Sequence, residues 1–196
     1  MFEKPTLIIE FCGIAISLIF VVFLVATWLI RKKDISNLYL AIYFILNFIY
    51  QSIRVYQLIS PNFENSILIN RTEVALTYTI LLFCSLFIIE YCKSKVHKYF
   101  TIILLTFVML SVFICFFTDL FIASTIESHT FFNEKFYGVI PGKLSGIFNI
   151  VFLSYYGFLI GIIIKYKSQI KFEKTIISIG YGAIIFSLLL IDNGLI

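Results

Sequence analysis

Residues 44–59 read FILNFIYQSIRVYQLI. Asn47, Gln51 and Arg54 stand at spacings of four and then three inside an otherwise apolar run. At 3.6 residues per turn the three fall within an arc of about 60°, and Tyr43 extends the stripe by one turn. The run is too apolar for a solvated helix, yet a helix wrapped entirely in lipid has no use for a guanidinium. A polar stripe on such a helix turns toward other helices rather than toward lipid. The segment therefore predicts a membrane helix packed inside a bundle.

The whole chain agrees with that reading. Of its 196 residues 61% are hydrophobic, 18% aromatic and only 13% charged, and the mean hydropathy is +1.02. Soluble domains run near ~25% charged residues, so this chain has too little polar surface to coat a globule in water. The lipid bilayer is its expected surroundings. Six apolar segments, each near the ~20 residues needed to cross a bilayer, lie at about 7–30, 36–59, 67–92, 99–118, 143–165 and 175–195. Only helices suit runs of this length, because each must satisfy its own backbone groups in lipid. The expected fold class is all-α: one polytopic membrane bundle of six transmembrane helices over residues 1–196.

The connections set an orientation. Arg31, Lys32, Lys33, Lys93, Lys95, Lys98, Lys165, Lys167, Lys171 and Lys174 gather in three short basic connections, whereas the N-terminal tail and the alternate connections hold only Lys4, Lys135 and Lys143. Basic loops stay in the cytoplasm, so the N-terminus is expected outside, in a multi-pass protein of the cell membrane. The long hydrophobic stretch near the N-terminus is followed, not preceded, by its basic cluster, which reads as a first span and not as a cleaved signal. Six crossings return the chain to the outside at LLLIDNGLI, so a seventh helix is expected beyond Ile196.

The third segment answers the stripe on the second. Asn70, Glu73 and Thr77 share an arc of about 60°, with Arg71 beside them. A short connection makes these two helices antiparallel neighbours. Counting from the ends of the spans, Arg54, Glu73 and Glu10 of the first segment lie at similar depth, which places Arg54 to pair with Glu73. The candidate polar cluster is Glu10, Asn47, Gln51, Arg54, Asn70, Arg71, Glu73 and Thr77. Two uses fit it: an ion pair with amide hydrogen bonds that fixes helix packing, or an outward-facing polar cavity that binds a small-molecule ligand or an ion.

Other chemistry is not expected. The motifs HExxH and GxSxG and the phosphate-binding loop are missing from the sequence, so no catalytic residues are assigned and the segment is not expected to be an enzyme. Cys12, Cys84, Cys92 and Cys115 lack CxxC spacing and read as packing residues. His97 and His129 fall on opposite sides of the membrane in this topology, so no metal site is expected, and no cofactor. The net charge of +4 resides in loops, which gives no surface for nucleic acid. Gly157 and Gly161 in YYGFLIGIIIK have GxxxG spacing, which serves a close internal helix contact or a homodimer.

Three stretches carry a family resemblance: LYLAIYFILNFIYQSIRVYQLI (38–59), RTEVALTYTILLFCSLFIIEYCK (71–93) and FYGVIPGKLSGIFNIVFLSYYGFLIGIIIKYK (136–167). Together they resemble the N-terminal seven-helix sensory region of bacterial signalling proteins, the type placed ahead of histidine kinase or diguanylate cyclase domains. The resemblance implies a signal-transduction receptor with an outside N-terminus and a cytoplasmic signalling domain or protein as partner. The alternative is the six-helix substrate-binding component of a membrane transporter, which would need a small-residue coupling surface such as Gly13, Ala15 and Ser17. A purely structural membrane protein is a third reading.

Overall fold

The computed structural model describes residues 5–30, 35–59, 63–91, 98–129 and 135–166. They form α1 (Pro5–Ile30), α2 (Ile35–Ile59), α3 (Phe63–Tyr91), α4 (Lys98–Phe117), a hairpin of β1 (Ile122–His129) and β2 (Lys135–Pro141), and α5 (Ser145–Tyr166). Helices α1 to α4 are long and apolar enough to cross a membrane. The sixth expected segment, 175–195, lies outside the described residues, as do Cys92, His97 and the basic stretches 31–34 and 92–97.

Each helix starts where its sequence allows. Pro5 opens α1, where its missing N–H and fixed φ cost nothing. Helix α3 begins at Phe63, four residues before the apolar run, with Glu64 placed against the positive end of the helix dipole. Ser145 opens α5 and donates its hydroxyl to the Gly142 carbonyl at 2.7 Å.

Helix α3 is the hub, packing against α2, α4, α5 and both strands. One core, at the end remote from the hairpin, joins Tyr43 of α2 and Leu81, Cys84 and Ile88 of α3 to Leu159 and Ile162 of α5. A second joins Tyr78 and Leu82 to Leu104, Val108 and Cys115 of α4 and to Phe121 and Ile122 at the hairpin base. Phe20 of α1 stacks on Phe44 of α2 with ring centroids 4.7 Å apart. The opposite faces are bare: Val22 is 71% exposed and Met109 64%. Side chains like these, spread along whole helices, suit contact with acyl chains and not with water. Cys84 and Cys115 are buried packing residues, whereas Cys12 is exposed.

One expectation needs correction. The chain is not wholly α-helical, because Ile122–His129 and Lys135–Pro141 pair as antiparallel strands in which Thr125 faces Val139 and Ile126 faces Gly138. The run IASTIESH places β-branched residues on both faces, and these favour a pleated strand over a helix. Thr125, Tyr137 and Val139 turn toward the helices; Ile126, 54% exposed, turns away. At the GxxxG pair, a Cβ added at Gly157 or Gly161 meets nothing within 4 Å among the described residues, and the sixth expected segment lies outside them.

The hairpin is tied to the helices at its base. Gly142 donates its N–H to the Phe121 carbonyl and Leu144 to that of Leu120. A Cβ at Gly142 would overlap the Leu120 and Asp119 carbonyl oxygens, which are backbone atoms and cannot rotate aside. Gly142→Ala is therefore expected to loosen the base of the hairpin. Amide hydrogen exchange at Leu144 and Gly138 should rise several-fold while exchange in α2 stays unchanged. At the tip, Lys135 Nζ lies 2.7 Å from Glu127 Oε2, and that hydrogen bond holds the exposed ammonium above its ordinary pKa.

Candidate functional site

Arg54 sits between two carboxylates from two neighbouring helices. Its Nε is 3.9 Å from Glu10 Oε1 of α1, and its Nη1 is 3.9 Å from Glu73 Oε2 of α3. The three side chains are 11–18% exposed. The pairs are longer than hydrogen bonds, so the guanidinium balances charge without clamping either carboxylate. Tyr50, one turn earlier on α2, is buried and lies on the same helix face as Arg54. A charge withdrawn from water is tolerated only when it is paired, which is why these residues face one another and not lipid.

A hydrogen-bonded chain leads from this triad to the hairpin. Arg54 Nη1 donates to Gln57 Oε1 at 3.3 Å. Gln57 Nε2 donates to Asn70 Oδ1 at 2.9 Å. Asn70 Nδ2 donates to the Tyr137 carbonyl at 3.0 Å and approaches that of Gly138 at 3.4 Å. Asn70 is 1% exposed, so an α3 amide is committed to reading the β2 backbone. Beside it, the Ser66 and Thr125 hydroxyls lie 2.8 Å apart, and the Phe63 and Tyr137 rings meet edge-on at 5.5 Å.

The remaining candidates divide. Gln51 lies against α1 at Gly13, where a Cβ would come within 2.6 Å of its Nε2. Glycine there lets α1 and α2 approach closely. Asn47 donates to the Tyr43 carbonyl of its own helix at 2.8 Å, and Thr77 to that of Glu73 at 2.9 Å. Neither joins the cluster through these bonds. Arg71 turns the other way: it donates to the Phe116 carbonyl at 3.0 Å and pairs with Asp119. That cation at the C-terminal end of α4 satisfies a carbonyl the helix leaves open. The assembled site is thus Glu10, Tyr50, Gln51, Arg54, Gln57, Asn70 and Glu73.

Gln57 and Tyr50 were missing from the sequence-derived cluster. Their signal was present, since they stand three after and four before Arg54 and share its face. Among the described residues, Glu73 Oε1 and Gln51 Oε1 in the site are buried without a hydrogen-bond donor, and Arg54 Nε makes no hydrogen bond of its own. Among the described residues no group of three His, Cys, Asp or Glu is arranged to hold a metal ion.

The described residues thus form a helical assembly, suited to a membrane, with a buried ion triad wired to a β-hairpin. No family model, no curated protein and no solved structure matches the chain.

Proposed function

We propose that the chain is a membrane-embedded sensory module, multi-pass in the cell membrane, with six spans and the N-terminus and hairpin outside. A signal at the hairpin or the polar site shifts the packing of α2 and α3, and their opposite ends pass that shift to a cytoplasmic output domain or protein. The observation that carries this reading is the chain Arg54–Gln57–Asn70–hairpin carbonyl. It makes the position of the hairpin and the arrangement of the buried charges depend on one another. The far ends of the same helices hold Leu159 and Ile162 of α5, so repacking has a route across the bilayer. A ligand need only bind one of two packings better than the other. The resemblance to sensory regions and the basic connections favour the same orientation.

The transport reading is weaker. Of the three small residues of α1 that could couple to a partner, Gly13 is occupied by Gln51 and Ser17 is 3% exposed.

A crosslink tests the sensory reading. The Ser66 and Thr125 hydroxyls are close enough for Ser66→Cys/Thr125→Cys to lock the hairpin onto α3. Oxidation should lower amide exchange at residues 35–43 and 84–91, at the far ends of α2 and α3, and reduction should restore it. A change confined to residues 122–141 would show that the hairpin is merely attached.

A further inference from the structure

The chemistry of the polar site defines what it can take. Counted in their ionised forms, Glu10, Arg54 and Glu73 carry one more negative than positive charge. Glu73 is 8% exposed. Its Oε2 faces Arg54, while its Oε1 is sealed from solvent with no donor among the described residues. Gln51 Oε1, one helical turn from Arg54 on α2, is in the same condition. A buried acceptor left without a donor costs about 1–3 kcal/mol, and more when charged. On that count the site offers two acceptors without donors and one unit of excess negative charge, and the buried guanidinium nitrogen there that lacks a hydrogen bond, Arg54 Nε, already faces Glu10 Oε1 at 3.9 Å.

We propose that this site binds a small primary ammonium group, which donates N–H to Glu73 Oε1 with Gln51 Oε1 as second acceptor. Binding supplies the missing positive charge and the missing donors together. This deepens the sensory reading and rests on it: an ammonium at Glu73 changes the pull on Arg54, and Arg54 is bonded through Gln57 to Asn70 and the hairpin. Three related cations separate the requirements. Methylammonium has charge and donors, tetramethylammonium has charge without N–H, and sodium has charge alone.

The test uses the purified chain in lipid nanodiscs at fixed pH and ionic strength, with the thermal unfolding midpoint as readout. Methylammonium chloride should raise the midpoint saturably, because a ligand that binds only the folded form stabilises it by mass action. Tetramethylammonium and sodium should not. In Glu73→Gln, half-saturation should weaken about tenfold or more, the loss of one charge-assisted hydrogen bond. Should that variant fail to fold, the three-cation series on the unaltered chain still decides. An equal rise with tetramethylammonium or sodium overturns the ammonium assignment, and so does no rise with any of them. Neither result touches the crosslink experiment, on which the sensory reading stands or falls separately.

Discussion

Arg54→Met should destabilise the bundle by about 3–5 kcal/mol, the range seen when one member of a buried ion pair is removed. Methionine keeps much of the length and bulk of the side chain, so the loss reports charge and hydrogen bonding more than packing. It strands Glu10 and Glu73, each 3.9 Å from the guanidinium, and it removes the donor to Gln57. The sign of a second substitution makes the result diagnostic. In the unaltered chain Glu73→Gln removes a partner of Arg54 and should destabilise. In the Arg54→Met background the same change removes a stranded charge and should restore part of the loss. Reversible unfolding in mixed micelles measures both. An equal cost in the two backgrounds would mean that Arg54 and Glu73 do not sense each other. Snorkelling of the arginine toward headgroups would give that outcome.

Asn70→Ala should cost about 2–4 kcal/mol and loosen the hairpin from α3. Its side chain accepts from Gln57 and donates to the Tyr137 carbonyl, and truncation leaves both buried partners unsatisfied at about 1–3 kcal/mol each. Phe121 and Ile122 still anchor the base, but beyond it only Ser66–Thr125 and the Phe63–Tyr137 contact remain, and two strands without further support are marginal in water. Amide exchange at Thr125, Tyr137 and Val139 should approach that of an unprotected chain while α1 is unaffected. Retained protection there would show that the amide is incidental.

Much of the helical frame is legible in the amino-acid pattern. Long apolar runs leave few alternatives, so α1, α2, α4 and α5 begin and end within two residues of the expected limits. Helix α3 begins earlier because Glu64, Asn65 and Ser66 read as loop by polarity, yet they suit a first helical turn and Ser66 bonds back to the Phe63 carbonyl. The hairpin was hidden for a different reason. Its strands are short and of mixed polarity, and their partner is non-local, so a helix-period scan passes over them. Within the site, depth along the helices brought Glu10, Arg54 and Glu73 into one layer. Angle alone could not separate Asn47 and Thr77, which bond to their own helices, from Asn70, which bonds across. Nor could it show that Arg71 faces α4.

The link between buried charge and hairpin is tested most directly by the coupling energy of Arg54 and Asn70. The two side chains share Gln57 as partner and make no direct bond in the chain described above. Stabilities of Arg54→Met, Asn70→Ala and the double variant should be non-additive by about 0.5–1.5 kcal/mol, with the second loss smaller once the first has been taken. Additivity within about 0.3 kcal/mol would contradict it: triad and hairpin would then be two separate structural devices, with no connection through which a signal could pass.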